Sequence, residues 1–115
     1  GCGMRQGTID LMIEFAVACL ATEDHREIRK MVREMARSWP NESALGIAFA
    51  ITSGAATFED IVDSPNAKTS AQLGYRLAAL VSADIYAIEA MGQVPAKGQD
   101  LLHFWRRVDP YFLNL

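Results

Sequence analysis

The chain has 115 residues, of which half are apolar and 22% are charged, and its net charge is −3 at neutral pH. These values favour a single folded domain, residues 1–115, and exclude a largely disordered chain. The negative charge argues against a nucleic-acid partner, although it leaves room for a local basic patch.

The first residues and the cysteines bear on location. Residues 1–7 are predicted to be a disordered tail or a cloning remnant, because Gly1-Cys2-Gly3 precedes Met4. Cys2 and Cys19 do not form a disulfide framework, so a reduced, cytoplasmic setting is expected. No segment has the pattern of a signal peptide or of a membrane span.

The first two predicted helices differ in how their apolar residues are distributed. The first, about 9–21, is apolar nearly all round, so it is either central or covered by a second subunit. The second, about 27–38, follows an Asp24 cap and is amphipathic. Its apolar side is formed by Ile28, Met31, Val32, Met35 and Trp39.

The third predicted helix lies in a stretch, residues 43–58, that carries no charge. Leu45 and Phe49 fall on one side of a helical wheel, and Ile47 and Ile51 fall on the other. A helix that is apolar all round is typical of a buried position. The sequence therefore predicts a compact all-α, five-helix bundle around a central helix at about 42–56. Phe49 is expected to be buried, so its replacement by Ala should cost about 3–5 kcal/mol.

Two more helices are predicted after a connector at 58–68. The fourth runs over about 70–91, after a Thr69 cap, and the fifth over about 99–109. The apolar segment 111–115 is expected to dock on the bundle. Because the first helix and this segment carry much apolar surface, one of them is expected to form a subunit contact, which makes a homo-oligomer possible.

Asp84 is the candidate buried polar site. By helical angle it lies at the centre of the apolar stripe of the fourth helix, and a carboxylate there must be paired, hydrogen-bonded or protonated. One interpretation is a ligand-binding or catalytic carboxylate in a pocket, with His103 nearby. The preferred interpretation is a structural anchor that accepts bonds from Trp39, Thr52, Ser53 or backbone amides of 58–68.

A basic stripe on the second helix is the candidate partner-binding surface. It consists of Arg26, Lys30, Arg33 and Arg37, which recur at spacings of three and four residues. Such a stripe can meet an acidic protein, a phosphate or an anionic lipid. The alternative is a solvated face, because glutamates at i, i+3 positions can pair with these cations.

Metal and cofactor sites are not expected. Asp100 and His103 lie one helical turn apart, but a helical-bundle metal centre uses paired motifs of this kind, and the chain has a single imperfect copy. The apolar setting of Cys19 argues against a reactive thiol. The sequence has no phosphate-binding glycine loop and no zinc-protease motif.

The middle of the chain, about 17–83, resembles a family of uncharacterised all-helical bacterial proteins that are linked by gene neighbourhood to type VI secretion clusters. The residues that carry the resemblance are 21–26, the segment 44–54 and the alanine-rich 77–81. The connector here has fewer prolines than the family's, and a Trp expected in the third helix is absent. The resemblance implies a helical, secretion-associated protein and supplies no catalytic residues.

Together these observations predict a non-enzymatic protein–protein interaction or accessory domain without a cofactor, whose partner is a protein of unknown identity. The alternative is a small ligand-binding or enzymatic bundle that uses Asp84 in a pocket. These two functions differ in whether the Asp84 carboxylate is enclosed by protein donors or opens into a cavity.

Overall fold

The computed structural model describes the backbone of residues 2–115 and the side chains of residues 7–115. It contains five α-helices and one short 3-10 helix. They are α1 (Cys2–Ala21), α2 (His25–Ser38), α3 (Ala44–Ile61), α4 (Pro65–Ala90), α5 (Gly98–Arg107) and η1 (Tyr111–Leu113). No strand occurs among the described residues, and the predicted all-α fold of five helices is confirmed.

The helix boundaries differ from the prediction in two places: α1 begins at Cys2 instead of at about residue 9, and the connector between α3 and α4 is shorter. α3 continues to Ile61 and α4 already begins at Pro65, so the connector at 58–68 is much shorter than predicted. Ser64 caps α4 by accepting a backbone N–H at 3.1 Å. Proline at the first helical position loses no hydrogen bond, because that N–H has no partner within a helix. Thr69, the predicted cap, lies inside α4 instead.

The helices form two layers. α3 packs between α1 and α4, while α2 and α5 cover one face of that layer. The molecule measures 42 × 36 × 20 Å, and its shortest dimension equals about two helix diameters. α1 and α3 run parallel, because a Cβ on Gly46 would touch Ile9 and a Cβ on Gly54 would touch Ala16. α3 is therefore enclosed on three sides and open on the fourth.

The core lies between the two layers. The amphipathic prediction for α2 is confirmed, since Ile28 and Met35 are fully buried. The segment after α5 docks as expected: Phe112 is 1% exposed and packs against Trp105 with ring centroids 5.0 Å apart. The largest fully buried side chains are Trp105, Phe112, Met12, Leu20, Ile28, Met31, Met35, Ile47, Ile51, Leu77, Leu101 and Val32.

Only one side of α3 is buried. Ile47 and Ile51 are fully enclosed, whereas Leu45 is 63% exposed and Phe49 is 56% exposed. The expectation that Phe49 is buried is therefore wrong. The reason is the number of layers: the second layer covers one face of α3, and no element among the described residues covers the other.

This asymmetry changes the stability prediction for α3. We expect Ile51→Ala to lower the free energy of unfolding by about 2–5 kcal/mol, because it removes buried methyl groups and leaves a cavity. Phe49→Ala should change it by less than about 1 kcal/mol, because surface substitutions seldom cost more. Urea melts of the two variants provide the comparison. An equal loss in both would show that Phe49 is covered.

α3 is also the one described helix that is long and apolar enough to cross a membrane. Its mean hydropathy is 1.2, and 44% of the window Ala44–Ile61 is buried inside the bundle. A helix that forms the core of a bundle can have the same length and apolar composition as a membrane span. Length and composition alone therefore do not indicate a membrane span.

Candidate functional site

Asp84 lies on the side of α4 that faces α5. Its Oδ2 accepts a hydrogen bond of 2.9 Å from the indole Nε1–H of Trp105, and Trp105 itself is completely buried. The carboxylate thus has a protein donor, as the anchor interpretation requires. The donor differs from the predicted ones, because Trp105 comes from α5 and packing of two helices that are distant in sequence brings the pair together.

The same carboxylate also borders a small open cavity. This cavity has a volume of about 260 Å³ and lies between α4 and the turn after α5. Its lining consists of Leu80, Ala83, Asp84, Asp109, Tyr111 and Phe112. Asp84 is therefore half-buried and combines features of both interpretations: one oxygen is held by Trp105, and the side chain lines a depression at the surface.

The protonation of Asp84 is shifted by this environment. Burial raises the pKa of the carboxyl group, the hydrogen bond from Trp105 lowers it, and the negative charge of Asp109 raises it, with a net upward shift. Burial dominates because removal from water disfavours the charged form. The folded protein therefore binds a proton at Asp84 more tightly than the unfolded chain does.

His103 does not share this cavity. Its side chain is exposed and borders a wider groove of about 640 Å³ between the end of α4 and α5. Ile88, Met91 and Phe104 supply apolar lining to the groove. The fold therefore does not bring Asp84 and His103 into one pocket.

Asp100, the partner of His103 in the possible metal motif, has a structural task. Its Oδ2 accepts the backbone N–H of Lys97 at 2.9 Å and the side-chain amide of Gln93 at 3.3 Å. The carboxylate thereby closes the first turn of α5. No group of three or more metal-binding side chains occurs within the described part of the chain.

The basic stripe of α2 is interrupted at its centre. Arg33 is only 15% exposed in its side chain, and its guanidinium donates to the carbonyl oxygens of Leu113 and Leu115 at 3.3 and 3.5 Å. Arg33 therefore holds the last residue of η1 and the segment after it against α2. It does not belong to a continuous surface with Arg26 and Arg37, contrary to the predicted stripe of four cations.

Two other cations of the stripe face acids on their own helix. Lys30 Nζ lies 3.8 Å from Glu27, and Arg37 lies 3.4 Å from Glu34. Such exposed pairs at i, i+3 contribute little to stability, but they reduce the net positive charge of the face. The pattern agrees with the solvated-face alternative for Lys30 and Arg37.

Cys19 is half-buried beside α2. Burial raises the pKa of its thiol, and the nearby charges of Glu27 and Glu34 raise it further. Because the thiolate is the nucleophilic form, this environment opposes reactivity, as predicted from the apolar setting.

An uncharged surface that periodicity alone did not reveal lies on the open side of the α3–α4 layer. We call it the open face, and it consists of Leu45, Phe49, Thr52, Ala56 and Tyr86. The three large members are 63%, 56% and 77% exposed. The signal in the sequence is the absence of charge over residues 43–58, from which complete burial of the helix is predicted.

Tyr86 belongs to this face because of the register of α4. The hydroxyl of Tyr75 donates to Glu59 Oε1 at 3.4 Å, so this side of α4 points the same way as the exposed side of α3. Tyr86 follows Tyr75 by about three full helical turns and therefore lies on the same side. The open face thus spans two helices.

The chain matches no protein-family model, no curated protein and no solved structure.

Proposed function

We propose that this chain is a non-enzymatic protein–protein interaction or accessory domain and that the open face is its contact surface. The observation that carries the proposal is the exposure of Leu45 and Phe49 on a side of α3 that carries no charge over residues 43–58. Contiguous exposed apolar surface of this kind often marks an interface. Aromatic side chains are also enriched where proteins bind each other.

The chemistry of the open face favours a partner with an apolar stripe of its own. An apolar helix side is best covered by a second apolar stripe, as in the packing of an amphipathic helix into a groove. Glu59 and Asp60 are exposed at the carboxyl end of α3. A partner segment with basic residues near this end would complement their charge, which favours one orientation.

Photo-cross-linking tests the proposal. We would replace Phe49 with a benzophenone amino acid and irradiate cells that express the protein in its native host. The matched control carries the same group at Val108, which is 63% exposed but lies after α5 on the other layer. We expect one or a few discrete protein adducts from position 49 that are missing from position 108.

The identity of the adduct decides between the possible occupants of the open face. An adduct with the mass of two chains assigns the face to a second copy, in line with the predicted homo-oligomer, and a different protein assigns it to a heterologous partner. No adduct at position 49, or adducts to membrane lipid alone, would contradict the proposal.

Secretion association and a cytoplasmic location form the finer part of this proposal. Their support is the resemblance to bacterial proteins of type VI secretion clusters, together with the cysteine content. Identification of a secretion component as the adduct of position 49 would support the association.

A ligand site at Asp84 is the second candidate function. It is favoured by the cavity of about 260 Å³ in which two carboxylates and two aromatic rings meet. In that case Asp84→Asn should show no loss of stability at neutral pH and should abolish binding of the ligand.

A further inference from the structure

A polar cleft between α2 and α4 carries positive groups that the proposed function does not use. It has a volume of about 380 Å³ and is lined by His25, Arg29, Thr69, Gln72, Leu73 and Arg76. Arg29 and Arg76 come from different helices, so only the tertiary structure places them in one depression. Among the side chains that the structure describes, no carboxylate lines the cleft.

Neither Arg29 on α2 nor Arg76 on α4 has an acidic residue one helical turn away, whereas other cations of α2 do. The residues three and four positions before and after Arg29 are all uncharged or basic. The same is true of Arg76. Neither guanidinium takes part in an ion pair or hydrogen bond with the side chains that the structure describes. Their donors therefore face the cleft without an anionic partner from this part of the chain.

The two acids that precede Arg29 most closely in the sequence are engaged elsewhere. Asp24 accepts the backbone N–H of Arg26 at 2.9 Å as the cap of α2, and Glu27 pairs with Lys30. The described lining of this cleft is therefore free of carboxylates, although the protein has a net charge of −3. An anion bound there would offset the repulsion between the arginines and accept their hydrogen bonds.

We propose that this cleft binds the phosphate group of a small phosphorylated molecule. Guanidinium groups match phosphate oxygens in a two-pronged geometry, and two of them can neutralise a dianion. The Gln72 amide adds a donor, and Leu73 offers an apolar contact to the rest of the molecule. The volume is in the range of small-ligand sites.

The test is a titration at neutral pH followed by amide NMR shifts, first with inorganic phosphate and then with phenyl phosphate. We expect saturable shifts confined to the first turn of α2 and to residues 69–76, with tighter binding of the monoester. The double variant Arg29→Gln/Arg76→Gln should bind at least about tenfold more weakly, because charge-assisted hydrogen bonds are lost.

The matched control is Lys30→Gln/Arg37→Gln, which also removes two positive charges, from positions of α2 that do not line the cleft. It should bind phenyl phosphate with unchanged affinity. An equal loss in both double variants would show general charge attraction and overturn the proposal, as would the absence of saturable shifts. The last measurement uses vesicles that contain phosphatidic acid. If the protein sediments with these vesicles but shows no amide shifts with phenyl phosphate, the arginines bind a lipid surface and the proposal is overturned.

Discussion

Replacing Trp105 with Ala is expected to lower the free energy of unfolding by about 3–5 kcal/mol, the usual cost for a buried aromatic residue. Trp105 is fully enclosed, contacts the Phe112 ring and donates to Asp84. The substitution removes packing between α5 and the segment after it and leaves the carboxylate without its donor. Urea melts monitored by circular dichroism provide the measurement. A loss below about 1 kcal/mol would show that α5 is not part of the core.

Variants of Asp84 separate the hydrogen bond from the packing. Asp84→Asn keeps an acceptor for the indole N–H, whereas Asp84→Leu leaves that donor unsatisfied at a cost of about 1–3 kcal/mol. We therefore expect the Leu variant to be less stable than the Asn variant. If the order is reversed, the Trp105 contact does not stabilise the fold.

The pH dependence follows from the raised pKa of Asp84. Because the folded state binds this proton more tightly, the contribution of Asp84 to stability is present below the unfolded pKa and is lost as pH rises through the folded pKa. Asp84→Asn should remove this loss, because an asparagine side chain does not ionise. Melts of both proteins between acidic and neutral pH show the difference as a change of slope.

Gly98→Ala is expected to cost about 2–4 kcal/mol, although it adds only one methyl group. A Cβ at this position would lie 2.5 Å from the carbonyl oxygen of Trp39 and 3.1 Å from that of Ala36. Both are backbone atoms, so the contact cannot be relieved by rotation of a side chain. The shift would also strain the hydrogen bond of 2.9 Å from the Gly98 N–H to the Glu42 carbonyl.

The control for Gly98 is Gly46→Ala. Its Cβ would meet its nearest atom at 3.5 Å, an ordinary van der Waals distance. This variant should be neutral or gain up to about 1 kcal/mol from the higher helix propensity of alanine. Thermal melts of the two variants provide the measurement. If both variants are as stable as the original chain, the backbone of Gly98 does not lie as close to the Trp39 and Ala36 carbonyls as described.

The number and class of the helices follow from the sequence because they depend on local signals. The apolar spacing of α2 predicts both its existence and its buried residues, and Asp24 marks its start with a cap that the structure contains. The apolar character of 111–115 likewise predicts docking, since Phe112 loses contact with water by packing on the core. Such features need no knowledge of distant neighbours.

The helix ends near the connector are harder to predict, because more than one residue there can cap the start of α4. Thr69 and Ser64 are both suitable caps. In the folded chain Ser64 is the cap, because it accepts the Ala67 N–H, and Ala67 in the first turn of α4 is fully buried. Pro65 then occupies the first helical position, where its missing N–H costs no hydrogen bond within the helix.

What the sequence determined was the set of helices and the residue types each one presents; what only the tertiary structure decided was which sides meet. α3 is apolar on both sides, so periodicity cannot tell Ile51 from Phe49, and the two-layer packing buries the first and exposes the second. Arg29 and Arg76 are far apart in the chain, yet the contact of α2 with α4 places them in one cleft. Side-chain surroundings of this kind arise from contacts between distant segments, and no local pattern encodes them.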